Sequence, residues 1–174
     1  HAGSLERLLD YSPQLEVLAT GCALGFLKEI TNREFRGSAV KEGQEMTIGG
    51  RTLRFLMAPN LHWPDTMYTY IPEEGILVTC DSFGSHYCLP EVLSDAIVRE
   101  EDYQSALKYY FHNIIGPFKP FMRNTLDKIA PLTISMICTG HGPVLTGERI
   151  AQVLEKYREW TEPSAAPAGG RKSV

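Results

Sequence analysis

The chain reads as one α/β or layered α+β domain, and three observations predict it. Strand-like segments crowd residues 45–81, helical periodicity takes over from Pro90, and a late strand leads into a last helix. Two of the strand pairs are joined by turn signatures, Gly49-Gly50 and Pro72-Glu73-Glu74-Gly75. The length of 174 residues, 43% hydrophobic and 22% charged, suits one soluble domain with a sizeable core.

Taken in order, Leu5, Leu8 and Leu9 fall at helical spacing after Gly3 and Ser4, so a short amphipathic helix opens the chain. Residues 15–20, LEVLAT, read as a strand, and 21–31, GCALGFLKEIT, as the helix after it. EMTIGGRTLRFLMAP sets two alternating apolar runs around Gly49-Gly50, which predicts a hairpin. TMYTYI and ILVTCD are the next two strands. From Pro90 the set Val92, Leu93, Ala96, Ile97 and the set Leu107, Tyr110, Phe111, Ile114 keep helical periods on either side of the acidic REED. They predict two helices or one broken helix. FMRNTLDKI predicts a further helix and TISMICTG a strand. Thr146 stands where it can cap a last helix, whose Ile150, Val153, Leu154 and Tyr157 share one face.

Composition narrows the function. With 17 basic against 21 acidic residues, a formal net charge of -4 and no basic stripe, no electrostatic case exists for nucleic acid. No apolar run reads as a membrane span. Cys22, Cys80, Cys88 and Cys138 form no CxxC pair, and their scatter is that of reduced thiols in a cytoplasmic protein. The chain starts at HAGSLERLL without an initiator methionine, and EPSAAPAGGRKSV at the other end has a linker's composition. A processed or excised chain is therefore expected, with a linker over 161–174.

His62, Asp81 and His141 each end a predicted strand or lie in the loop after it: FLMAPNLH, ILVTCD and ISMICTGH. That sheet edge is where loops converge and sites form. Imidazole and carboxylate bind divalent zinc, iron or manganese, and a carboxylate can bridge two ions. Asp81 can thus stand between two histidines, and His1 could add a nitrogen. The competing reading makes each a hydrogen-bonded loop residue. In ICTGHGPVL, His141 is framed by Gly140 and Gly142, as a side chain being aimed would be. His112 falls off the helical stripe and belongs to a solvated face. His86, after Asp81, is placed to line the site without ligating. Tyr109, Tyr110 and Phe111 read as core aromatics. No phosphate cradle, dinucleotide fingerprint or serine nucleophile elbow is present.

Four stretches, LHWPDTMYTY at 61–70, CDSFGSHYC at 80–88, YYFHNIIGPFKPF at 109–121 and ICTGHGPVL at 137–145, together resemble the flavodiiron proteins, or A-type flavoproteins. The resemblance runs from His1 to about Trp160. It implies a metallo-β-lactamase-like αββα sandwich over 1–160 that holds two non-haem iron ions, and a linker at 161–174 to a flavodoxin-like domain carrying FMN. The family pattern of His-x-Glu-x-Asp-His, a distant His, an Asp and a last His is matched in its later part. Eighteen residues separate His62 from Asp81, and fifty-nine separate Asp81 from His141.

By that resemblance His62 binds one iron, His141 the other, and Asp81 bridges them. His1 matches the last histidine of the first motif, a position that ligates in some members and turns away in others. The His, Glu and Asp expected before it are not in this sequence, and the amino-terminal strands of the fold are expected to be missing with them. The implied activity is reduction of oxygen to water or of nitric oxide to nitrous oxide. Electrons would come from FMN, fed by a donor protein such as rubredoxin, in a head-to-tail homodimer. With so few ligands, this segment alone is expected to hold metal weakly and to lack turnover, and its exposed strand edges to favour association. Two other readings stand beside it: a zinc hydrolase of the wider metallo-β-lactamase superfamily, and a non-catalytic relic or interaction module.

Overall fold

The computed structural model describes residues 2–163. A first helix α1 (Leu5–Tyr11) precedes a small parallel unit in which β1 (Glu16–Ala19) and β2 (Arg36–Ala39) pair across α2 (Gly21–Thr31). A six-stranded sheet follows in the order β3 (Glu45–Ile48), β4 (Arg51–Met57), β5 (Met67–Ile71), β6 (Ile76–Cys80), β7 (Met136–Thr139) and β8 (Leu145–Thr146). Between β6 and β7 run α3 (Glu100–Tyr110), a π-helical turn at Phe111–Ile115, a 3-10 turn at Gly116–Phe118 and α4 (Lys119–Ile129). The last helix is α5 (Glu148–Thr161). The arrangement is mixed α/β, as the order of strand and helix blocks in the sequence predicts.

The β3–β4 turn is built as its sequence demands. Gly49 and Gly50 have φ of 58° and 79°, the paired left-handed conformation of a two-residue hairpin, and Ile48 pairs with Arg51 across it. Antiparallel pairing of β4 with β5 and of β5 with β6 makes β4 run parallel to β6, and β6 is itself parallel to β7. The carboxyl ends of β4, β6 and β7 therefore share one edge of the sheet. His62, Asp81 and His141 lie just beyond those three ends.

One face of the sheet packs against α3, α4 and α5. Leu56, Tyr68, Tyr70, Leu77 and Ile137 meet Leu107, Phe111, Ile115, Met122, Leu126, Val153 and Tyr157 in a single apolar cluster. Each fully buried aliphatic side chain there contributes about 1.5–3 kcal/mol. Alternation along β6 buries Leu77 and Thr79 and leaves Val78 41% exposed on the other face.

Several sequence expectations change. Residues 92–97 are not helical apart from a 3-10 turn at Ser94–Ala96. Their backbone instead pairs with the strand-like segment near Val144, whose N–H donates to the Val92 carbonyl and whose carbonyl accepts from Ser94 N–H. Val92 is 67% exposed, so its apolar spacing reflects no buried face. Thr146 does not cap α5, which starts after Gly147; it ends β8, and its hydroxyl donates to Asp95. Tyr109 is exposed, while Tyr110 and Phe111 are core, as expected. The four cysteines are free thiols. The proposed linker lies outside the described residues from 164 onward. Among the described residues no helix is long and apolar enough to cross a membrane.

Four tyrosines, Tyr68, Tyr103, Tyr110 and Tyr157, are buried in the cluster, and burial raises each phenol above its ordinary value, Tyr103 to about 12. The unfolded chain therefore releases these protons first. Stability is expected to hold below about pH 10 and to fall between there and about pH 12. Urea denaturation at stepped alkaline pH, read beside tyrosinate absorbance, checks it; a flat stability curve across that range would contradict the burial argument.

Candidate metal centre

The loop after β4 is wound around one carbonyl. Asn60 N–H, Thr66 N–H and the Thr66 hydroxyl all donate to the Trp63 carbonyl, at 2.8, 3.2 and 2.9 Å. Leu61 is fully buried beside them and anchors His62. The cap of α2 also holds this loop. Thr20 accepts from Ala23 N–H at 3.1 Å while its own hydroxyl donates to the Asp65 carbonyl at 3.0 Å.

Asp81 follows β6 directly in a tight turn. The Thr79 hydroxyl donates to the Ser82 carbonyl at 2.9 Å, and the buried Tyr110 hydroxyl donates to the Asp81 carbonyl at 2.9 Å. Among the described residues four non-glycine residues have positive φ, and three of them, Asn60, Cys80 and Phe83, flank His62 and Asp81. Each such residue costs about 1–3 kcal/mol, a strain that clusters at functional sites.

His141 follows β7. Gly140 N–H donates to the Cys80 carbonyl, and Ser85 N–H donates to the His141 carbonyl at 3.1 Å, so the two loops are stitched together. Gly142 has φ of 81°, and a Cβ there would lie 2.6 Å from the Ser85 carbonyl. Glycine is thus required twice over, by conformation and by space.

These three loops bring together the side chains singled out from the sequence. Asp81 Oδ2 lies 3.3 Å from His62 Nε2, and Asp81 Oδ1 lies 3.3 Å from His141 Nε2. The carboxylate is nearly buried, whereas the imidazoles are partly open, at 31% and 40% side-chain exposure. Burial, with the Asp81 carboxylate adding to it, raises the Tyr110 phenol well above its ordinary pKa and also raises the Cys80 thiol. His86 stands edge-on to Tyr110 and to His141, with ring centroids at 4.9 and 5.6 Å. An open cleft of about 480 Å³ lined by His86, Cys88, Glu91, Val92 and His141 adjoins the pair.

The donors are two imidazole nitrogens and two oxygens of one carboxylate, a set that suits two divalent ions sharing a bridge. Among the described residues no group of three or more His, Cys, Asp or Glu side chains converges on a single point. Two ions sharing that carboxylate would each be offered one nitrogen and one oxygen from the described residues. His1 lies outside the described residues. His112 is exposed, and its ring lies against Phe111 and Trp160. Tyr110 is core, as its place in the aromatic run predicts, and it also supports Asp81. No local signal marks that second role, because it arises where the end of α3 crosses the loop.

The model of the family described as ODP family β-lactamase matches residues 2–142. A flavo-diiron protein of Clostridium acetobutylicum is 41% identical over 162 residues, covering 91% of this chain and 40% of that protein. Among solved structures, the flavodiiron protein of Giardia intestinalis superposes with a TM-score of 0.86 at 30% identity, over 92% of this chain and 39% of that one. The rubredoxin oxygen:oxidoreductase of Desulfovibrio gigas gives 0.87 at 25% identity, over 92% and 41%. The chain thus spans about two fifths of the length of these relatives.

Gly142→Ala is expected to destabilise the protein by about 1–3 kcal/mol, since alanine must adopt a strained conformation and displace Ser85. Urea denaturation measures it, and an unchanged midpoint would show that the turn relaxes freely.

Proposed function

We propose, from the premise that the chain belongs to the ODP family of β-lactamase-like domains and with it to the flavodiiron proteins, that its part is to present a bridged non-haem diiron centre. One observation carries this reading: the two oxygens of the Asp81 carboxylate each face a different histidine, at 3.3 Å. A carboxylate that merely stabilised a loop would have no reason to divide itself so evenly. In this reading His62 serves one ion, His141 the other and Asp81 both, with His1 a further candidate donor.

When bound, iron would supply open coordination positions and redox equivalents for reducing oxygen to water or nitric oxide to nitrous oxide. The chain's own residues do the positioning. Asp81, itself nearly buried, would place its negative charge between the ions that His62 and His141 would hold. Tyr110 keeps the Asp81 backbone from rotating, and the cleft beside His141 leaves one side open to a small diatomic substrate or to an electron-delivering partner. The Desulfovibrio gigas relative is named for rubredoxin and oxygen, which supports a donor protein of that kind. FMN is assigned to no residue of this chain and would reach the centre from a flavodoxin-like domain, in a cytoplasmic homodimer.

The described residues offer each ion two donors, too few for tight binding. The 174-residue chain by itself is expected to hold iron substoichiometrically and to consume neither oxygen nor nitric oxide at a measurable rate. Asp81→Ala is expected to remove the remaining metal. Elemental analysis of both proteins, with oxygen and nitric oxide electrodes, tests this. Wild-type metal content in Asp81→Ala would sink the bridging role. Two firmly held irons with turnover would overturn the ligand shortage, and zinc with hydrolytic activity but no iron would favour the hydrolase branch.

A further inference from the structure

His141 is held by more than its place in the chain. Its carbonyl is gripped from two directions, by Ser85 N–H at 3.1 Å from the Asp81 loop and by the Thr139 hydroxyl at 3.0 Å from the end of β7. The same hydroxyl lies 3.4 Å from the Pro143 carbonyl, so the 139–143 turn closes around it. A threonine hydroxyl in this place organises a turn that backbone groups alone do not close. The His62 loop has a different hub, the Trp63 carbonyl, and takes nothing from Thr139.

We propose that Thr139 is a positioning residue for His141, its hydroxyl setting the peptide orientation from which the imidazole reaches the Asp81 oxygen. An imidazole is a rigid lever on one Cα–Cβ bond. Rotation of the His141 peptide swings Nε2 away from Oδ1 while leaving the His62 contact intact. The two halves of the centre are thereby separately set, one by Thr139 and Ser85, the other by the Trp63 turn. Hydrogen bonds behind a ligand commonly change metal affinity by about 10–100-fold, without themselves touching the ion. The consequence for metal affinity rests on the diiron reading; the orientation of the ring does not.

Thr139→Val keeps the branched shape that suits a strand and removes only the hydroxyl; Thr139→Ala removes it with a smaller side chain, and Thr139→Ser restores it. In the 174-residue chain, imidazole nitrogen resonances recorded without metal should shift or broaden for His141 in both hydroxyl-free variants, with those of His62 unchanged. Cobalt(II) titration, as a visible stand-in for a ferrous ion, should show roughly tenfold weaker binding in the same variants. Thr139→Ser should recover both readouts. Unchanged His141 resonances, equal disturbance of both histidines or failure of the serine rescue would overturn the proposal. If the wild-type chain takes up no cobalt, the diiron reading fails, and the ring resonances still decide the role of Thr139.

Discussion

A nearly buried carboxylate whose two oxygens are committed to different imidazoles is the constraint on which this structure turns. Asp81 cannot occupy that point without a backbone that departs from strand geometry within one residue, and Cys80 and Phe83 accept left-handed conformations on either side of it. Such strain persists only where the surroundings over-determine it. Here the Thr79 and Tyr110 hydroxyls fasten the turn, and the buried face of β6 fixes where the turn begins. The order of dependence runs from core to loop to carboxylate.

Topology does the rest of the positioning. Because β4, β6 and β7 point the same way, their following loops emerge together although His62 and His141 are far apart in the chain. The loops are then stiffened by different means. One is wound on the Trp63 carbonyl and tied to the cap of α2; another is laced to its neighbour through Ser85 and Gly140. In the diiron reading proposed above, a centre assembled from separately stiffened parts would be geometrically defined before any ion arrived, which would lower the cost of organising ligands on binding.

Much of this was legible in residue patterns. The Gly49-Gly50 hairpin, the strands of residues 67–71 and 76–80 and the helices around Leu107 and Leu126 follow from periodicity and turn chemistry, both local properties. The failures have a common cause. Val92, Leu93, Ala96 and Ile97 mimic a helical stripe, yet their backbone groups find better partners around Val144, a pairing invisible to local spacing. Strand β2, with the residues Arg-Gly-Ser-Ala, carries no apolar alternation and exists because β1 offers it a parallel edge. Thr146 has the chemistry of a helix cap but spends its hydroxyl on Asp95, brought near by a long-range fold.

By itself, the sequence determined the strand and helix blocks, the candidate donors His62, Asp81 and His141, and the need for glycine after His141. Those are set by side-chain chemistry and by local backbone sterics. Only the tertiary structure decided that the two Asp81 oxygens would divide evenly, each 3.3 Å from a different imidazole, that Tyr110 would support the carboxylate's backbone from a neighbouring helix and that Thr139 and Ser85 would grip the same carbonyl. Such contacts depend on strand direction and on packing between segments dozens of residues apart, and no local pattern of residues encodes a distance across the sheet.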